Sequence, residues 1–394
     1  MRERFLVFGA PWIERAEMDE VARVLESGWL GTGPRVQAFE LAFAAFKGID
    51  PAQTCAVASC TAALHSSLIA AGIGAGDEVI TTPLTFCATV NAIVHAGATP
   101  VLADVDPVTM NLSPDALAER VGPRTRAIVP VHFAGRACDM DAIMRIARAH
   151  DLAVIEDCAH AIETTWLGRP AGTIGDFGCF SFYVTKNVVT GEGGMVTARR
   201  PEDAARIRSL ALHGLSRDAW KRFGADGYRH YEVTECGFKY NMTDIQAALG
   251  IHQLARVEAG WRRRLEIWRA YDRAFADLPL GRPAPLDERS RHALHLYTLL
   301  IDDAAAGVSR DEFLAAMQRQ NVGVGVHYLS VPEHAYYRRR FGWRPEDYPN
   351  AMRIGRQTAS IPLSPALTDD DVHDVITAVR AAVLGTPLRR MISV

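Results

Sequence analysis

A chain of 394 residues is too long for one simple core, so a large unit accompanied by a smaller one is expected. With 48% hydrophobic and 23% charged residues, the composition is that of an ordinary soluble enzyme. A formal net charge of -3 argues against a bulk nucleic-acid binder, which would carry a strongly basic face, so any anion site has to be local.

The opening "MRERFLVFGAPWIERAEMDE" lacks the apolar core of a signal peptide, and no run of about 18 apolar residues suggests a membrane span. A cytoplasmic protein with no membrane partner is expected. "IERAEMDEVARVLESG" reads as a helix that precedes a sheet and packs back on the smaller unit. From about residue 54, short β-rich runs alternate with helix-length segments, the pattern of a mostly parallel sheet covered by helices. The strands are "CAVAS", "EVITT", "PVLADV", "AIVPVHF", "AVIEDC", "FGCFSFY" and "GMVTAR", near-continuously apolar as strands buried on both faces should be. Helices such as "TAALHSSLIAAG" and "FCATVNAIVHAG" end on glycine, the favoured C-terminal stop. "NMTDIQAALGIHQLARVEAGWRRRLEIWRAYDRAF" reads as one long helix, closed by the proline-rich "LPLGRPAPLDE". A smaller α+β unit follows from about residue 285, with "LHLYTLLI" as a strand and "RDEFLAAMQRQ" as a helix. The fold class is therefore α/β, a mixed, mostly parallel seven-stranded sheet flanked by helices plus a smaller C-terminal unit, with the division placed at residues 1–255 and 256–394. The seven cysteines, Cys55, Cys60, Cys87, Cys138, Cys158, Cys179 and Cys236, form no CxxC pair and no metal spacing, and read as small buried hydrophobes with no metal implied.

In an open α/β sheet, ligands collect at the carboxyl ends of strands, where helix N-termini present free N–H groups. Three polar stretches fall at such ends. In "VASCTAAL", Ser59, Cys60 and Thr61 pass from strand to helix and offer backbone amides suited to a phosphate, although Ser and Thr are also ordinary helix caps. In "VIEDCAHA", Asp157 and His160 follow an apolar strand, where a carboxylate either serves chemistry or caps the next segment. In "SFYVTK", Lys186 follows a strand that reads as internal. A buried lysine costs several kcal/mol unless paired or neutralised, and burial that lowers its pKa yields a neutral amine, a nucleophile toward an aldehyde. An amine nucleophile, an acid and a phosphate-binding helix N-terminus together fit pyridoxal phosphate.

The segments "SFYVTKNVVTGEGGMV", "VIEDCAHAI", "GDEVITTPLTFCATVNAIVHAGATPVLADVD" and "YNMTDIQAALG" resemble landmark segments of the DegT-type nucleotide-sugar aminotransferases. The likeness runs in order from "SGWLGTGP" to "VHYLSVPEH". It implies the aspartate-aminotransferase fold, pyridoxal 5'-phosphate as cofactor with pyridoxamine 5'-phosphate carrying the amine, and a homodimer with shared sites. Carried over by position, it implies that Lys186 forms the Schiff base and shuttles the proton, Asp157 pairs with the pyridinium nitrogen, and Phe86 stacks on the ring. Thr61, the backbone at Cys60, and Ser181 would hold the phosphate; His160 would lie near the phenolic oxygen; and Asn241 would reach the phosphate of the other subunit. Cys60 departs from the family, which commonly has glycine there, and glycine permits a positive φ and a close approach that cysteine does not.

For the substrates, the resemblance implies an amino-acid donor, glutamate, and a keto-sugar linked to a nucleoside diphosphate. "LHGLSRDAWKRFGADGYRHYE" supplies Arg217, Lys221, Arg222 and Arg229 as candidate diphosphate ligands, against the plainer reading of a solvated charged surface. "HGLSRDAWKR" and "SGWLGTGP" resemble members that aminate C4 of a 4-keto-6-deoxy sugar, which places Trp29 in the sugar pocket. His327 and Tyr328 in "VHYLSVPEH" match a segment that approaches the substrate. Amination at C3 or of a keto-inositol is the nearer rival; deoxygenation is disfavoured because relatives of that kind replace the lysine. A cofactor-binding regulator without turnover is the rival from another class.

Overall fold

A computed structural model of the chain describes residues 2–216 and 231–385. Its elements, in order, are α1 (Arg15–Ser27), α2 (Pro34–Lys47), β1 (Thr54–Val57), α3 (Cys60–Ala70), β2 (Glu78–Thr81), α4 (Cys87–His95), β3 (Thr99–Leu102), α5 (Pro114–Arg120), β4 (Thr125–Val129), α6 (Met140–Ala149) and β5 (Ala153–Asp157). They continue with the hairpin β6 (Thr165–Trp166) and β7 (Arg169–Pro170), then β8 (Phe177–Ser181), β9 (Gly194–Ala198), α7 (Pro201–Leu210), α8 (Asp244–Ala255) and α9 (Val257–Ala274). The last are β10 (Tyr297–Leu300), α10 (Asp303–Ala306), α11 (Arg310–Arg319), α12 (Ala335–Phe341), α13 (Pro349–Gln357), β11 (Thr358–Ile361) and α14 (Asp369–Leu384).

All seven expected strands enter one sheet, in the order β1-β9-β8-β5-β4-β2-β3. Only β9 runs against the rest, antiparallel to both β1 and β8. The carboxyl ends of β1, β2, β5 and β8 therefore open on one edge of the sheet. Apolar side chains fill both faces, Leu64 and Leu68 of α3 on one and Ile143 and Met144 of α6 on the other, which is why the strands read as unbroken apolar runs. A further apolar cluster gathers Trp268, Tyr271 and Phe275 of α9 with Tyr297 and Leu299 of β10 and Phe313 of α11, over the antiparallel pair β10–β11.

Two expectations need correction. The long helix after residue 241 is two helices, broken at Arg256, whose backbone leaves helical geometry at φ -109° and ψ 11°. Its guanidinium engages the Trp12 carbonyl at 2.6 Å and the fully buried carboxylate of Glu17. Second, α1 lies against α8 and does not pack on the C-terminal part of the chain. Polar contacts join the two: Gln253 Nε2 donates to Glu17 at 2.9 Å and Glu20 meets His252 at 3.4 Å, while Glu20 also meets Arg35 of α2 at 2.7 Å. A periodicity argument based on apolar residues has no purchase on such a face. The residues ahead of α1 make the C-terminal contact instead: Leu6 exchanges backbone hydrogen bonds with Asn321 and Gly323, and Arg2 pairs with Asp371 and Asp374.

Candidate active site

The shared strand edge borders a cavity of about 580 Å³. β1 delivers Ser59, whose hydroxyl caps α3 by accepting from the Ala62 amide at 3.1 Å while its carbonyl accepts from Ala63. The amides of Cys60 and Thr61 have no partner within the helix, and both residues line the cavity. Cys60 sits in ordinary helical backbone, so no positive φ is required where relatives use glycine. Its thiol folds beneath the sheet edge, 3.4 Å from the Cys179 carbonyl and 4.0 Å from Asp157. Close approach is required elsewhere: a Cβ on Gly194 would stand 2.5 Å from the Ser59 carbonyl carbon and 2.8 Å from the Cys60 nitrogen. Gly191, at φ +80°, supplies the turn that returns the chain into β9.

β5 ends on Asp157, 4% exposed. One carboxylate oxygen accepts from Thr89 Oγ1 at 2.8 Å, and the other accepts from the Ala159 amide at 3.1 Å. Because Thr89 donates to the acid, Thr85, 2.8 Å away, donates to Thr89. No cationic side chain among the described residues forms an ion pair with Asp157, and burial pushes its carboxyl above the usual range, with the Thr89 hydrogen bond opposing. A buried carboxylate that faces a cavity without a counter-ion suits a cationic group of a ligand. The adjacent Glu156, on the other side of the strand, is saturated by His132 at 3.0 Å and by the amides of Gly172, Ile174 and Gly175. With Cys158 it forms a cluster whose hydrogen bonds fasten the turn before β8.

Lys186 follows β8 in a turn whose amide donates to the Tyr183 carbonyl at 2.8 Å. Burial pushes its ammonium down to about 8, with Asp157 among the groups pulling the other way. Ser181, the last residue of β8, is half-buried and lines the cavity, accepting from the Tyr183 amide. Phe86, ahead of α4, exposes 58% of its surface at the cavity, an unusual position for a phenyl ring and one suited to stacking on a planar ligand. The opposite wall carries His160, His295, His327 and Tyr328. The Ala134 amide donates to His160 Nδ1 at 3.2 Å, so Nε2 carries the proton and donates to the Tyr328 hydroxyl at 3.1 Å. Burial, reinforced by Lys186, pushes His160 well below the ordinary histidine value and His327 down to about 4; burial pushes the Tyr328 phenol up. The wall is therefore neutral near pH 7.

The structure thus brings together Cys60, Thr61, Phe86, Asp157, His160, Ser181, Lys186, His327 and Tyr328. It leaves two expected residues outside the cavity of their own chain. Trp29 is 41% exposed, its indole donating to the Thr32 carbonyl at 3.0 Å, and Asn241 donates to the Thr32 hydroxyl at 2.7 Å beside the end of β1. Trp29 and Asn241 therefore share one surface, through Thr32. Arg217, Lys221, Arg222 and Arg229 lie outside the described residues. Sequence reasoning missed Thr89 and His295. Thr89 lies three residues after Phe86 on the same helix face, a spacing that pointed to it; His295 had no such signal.

Residues 11–380 match the DegT/DnrJ/EryC1/StrS aminotransferase family, and the chain belongs to it. It is 51% identical over 386 residues to the spore coat polysaccharide biosynthesis protein SpsC of Bacillus subtilis, covering 98% of each chain. Among solved structures it is similar to the aminotransferase TlmJ of Streptoalloteichus hindustanus, at 36% identity and TM-score 0.88 over 97% of this chain and 99% of that one. It is also similar to the putative sugar aminotransferase Spr1654 of Streptococcus pneumoniae in its PLP form, at 30% identity and TM-score 0.88 over 97% and 99% of the two chains.

Proposed function

We propose that this member of the DegT/DnrJ/EryC1/StrS aminotransferases moves an amino group from glutamate to the C4 ketone of a nucleotide-linked 4-keto-6-deoxy sugar, with pyridoxal phosphate as cofactor. The observation that carries the aminotransferase part is the presence in one cavity of a buried Asp157, which forms no ion pair among the described residues, and a lysine pushed down to about 8. The C4 position and the nucleotide rest on the likeness of "HGLSRDAWKR" and "SGWLGTGP" to C4-aminating members.

The residues present fit the cofactor. The free amides of Cys60 and Thr61, at the positive end of α3, with the Ser181 hydroxyl, would hold its phosphate. Asp157 would hold the charged ring nitrogen, its carboxylate oriented by Thr89 and the Ala159 amide. Phe86 would cover one ring face. When bound, pyridoxal phosphate supplies an aldehyde that captures amines and a ring that takes up the electron pair left on a deprotonated carbon. Lys186 Nζ, pushed down to about 8 by burial, removes the proton from the donor's Cα and later delivers one to C4 of the sugar. The neutral histidine and tyrosine wall leaves Lys186, among the described residues, as the one cavity side chain with a basic amine, so proton traffic passes through it. On this reading Asn241, which lies outside its own cavity, serves the phosphate site of a second copy in a homodimer.

A panel of nucleotide-linked 4-keto and 3-keto sugars and a keto-inositol, offered with glutamate and with products read by NMR, tests the reading. Amination at C4 is expected; a product aminated at C3 or on the inositol refutes the substrate assignment. Lys186→Ala should lose both the product and the visible absorbance of lysine-bound cofactor, and an unchanged spectrum refutes the role of Lys186.

A further inference from the structure

Lys186 is followed by Asn187, whose amide holds together three separated segments. Its Nδ2 donates to both Glu163 carboxylate oxygens at 3.0 and 2.9 Å and to the Ala293 carbonyl at 2.9 Å. Its Oδ1 lies 3.0 Å from His295 Nδ1. The Ala293 carbonyl can only accept, so the amide nitrogen faces it and Oδ1 faces the histidine. Oδ1 can only accept, so His295 Nδ1 carries the proton. Burial, reinforced by Lys186 and Arg264, pushes His295 well below the ordinary histidine value, so the ring stays neutral and Nε2 is a bare acceptor. His295 lines the cavity.

The neighbouring His160 is locked the other way, with Nε2 protonated and spent on Tyr328, and the two ring centroids are 4.4 Å apart. A charge on either ring would be set against the other and against Lys186. Among the three histidines of the described residues that line the cavity, His295 is the one whose hydrogen bonds fix a bare, unpaired Nε2. At the far end of the chain of contacts, burial pushes the Glu163 carboxyl up, and Arg264, 3.6 Å away, opposes it.

We infer that His295 is a specificity residue whose Nε2 accepts a hydrogen bond from the sugar hydroxyl beside the reacting ketone, and that Glu163 and Asn187 are positioning residues that fix its tautomer. The inference rests on the sugar-aminotransferase reading above. Lys186 marks the reacting carbon, and His295 lines the same cavity, tied through its Nδ1 at 3.0 Å to the residue that follows Lys186, which sets the acceptor among the substituents near that carbon. A neutral acceptor selects a hydroxyl over a deoxy position without competing with Lys186 for the transferred proton.

The test uses cofactor-loaded protein. Nitrogen-15 spectra should show His295 with Nδ1 protonated and Nε2 bare at pH 7; a protonated Nε2 or a charged ring overturns the inference without reference to turnover. His295→Asn keeps a donor toward Asn187 but has nothing at Nε2, and His295→Gln restores an acceptor there. For His295→Asn, the half-reaction with glutamate should stay within about twofold of wild type while kcat/KM for the keto-sugar falls roughly tenfold or more, mainly in KM. His295→Gln should recover most of that loss. A substrate lacking the adjacent hydroxyl should cost wild type a similar factor and His295→Asn almost nothing further. Equal slowing of both half-reactions, or undiminished discrimination against the deoxy substrate by His295→Asn, overturns the inference while leaving the aminotransferase reading intact. A wild type that aminates no nucleotide-linked keto-sugar refutes that reading and this inference with it.

Discussion

Replacing Lys186 by methionine in the cofactor-free protein should stabilise the fold while removing its activity. The buried lysine is pushed from its ordinary 10.5 to about 8, so carrying it as an ammonium in the folded state is unfavourable. At about 1.4 kcal/mol per pKa unit, the penalty is about 3 kcal/mol at pH 7, where the group is charged in both the folded and unfolded states. The sign follows from proton counts: between pH 8 and 10.5 the unfolded chain binds more protons than the folded one, so the wild type gains stability as pH rises through that window. Methionine has a similar length and no charge, so the advantage of Lys186→Met should be about 3 kcal/mol at pH 7 and should shrink to about 1.4 kcal/mol by pH 9.5. Urea unfolding at the two pH values, on protein stripped of cofactor, measures both quantities. A variant no more stable than wild type at pH 7, or an advantage that does not shrink with pH, refutes the claim that burial pushes this amine down to about 8.

Thr89→Val removes the hydroxyl that donates to Asp157, and should lower kcat by roughly ten- to a hundredfold, the worth of one hydrogen bond to a charged group, with Thr89→Ser restoring most of it in steady-state assays. An unaffected Thr89→Val would mean that the acid is positioned without it. Gly194→Ala forces a methyl group into the Ser59–Cys60 backbone and should cost about 1–3 kcal/mol in urea unfolding while weakening retention of the phosphate-bearing cofactor; normal retention would place the phosphate elsewhere. Arg256→Met leaves the fully buried Glu17 without its cation and should cost about 3–5 kcal/mol, a loss that Glu17→Gln in the same chain should largely reverse.

How far the sequence discloses such a molecule depends on whether the determining contacts are local. The seven strands were legible because each is a short apolar run bounded by turn residues, and burial on both faces leaves no ambiguity of period. Cys60, Thr61, Asp157 and Lys186 were legible because strand ends in a parallel sheet converge by topology, so a polar residue after an apolar run already implies a common edge, whereas Ser181 came only with the resemblance. The break at Arg256 and the docking of α1 were not, because both are built on Glu17, Gln253 and Arg256, polar residues whose burial no hydropathy pattern announces.

The same limit explains why the resemblance carried a list of cofactor residues and missed the layer behind them. Glu163, Asn187 and His295 are common residue types at separations with no period, and nothing in "AIETTW", "TKNVV" or "ALHLY" marks them as partners. Their meaning comes from one geometric constraint: the Ala293 carbonyl and the Glu163 carboxylate occupy the donor side of the Asn187 amide, which leaves its oxygen to choose the tautomer of His295. Residues that meet a shared cofactor answer to the same chemistry in every member, even where, as at Cys60, the side chain departs. A residue that meets the sugar is free to differ wherever the sugar differs, so the second kind must be read from contacts such as these.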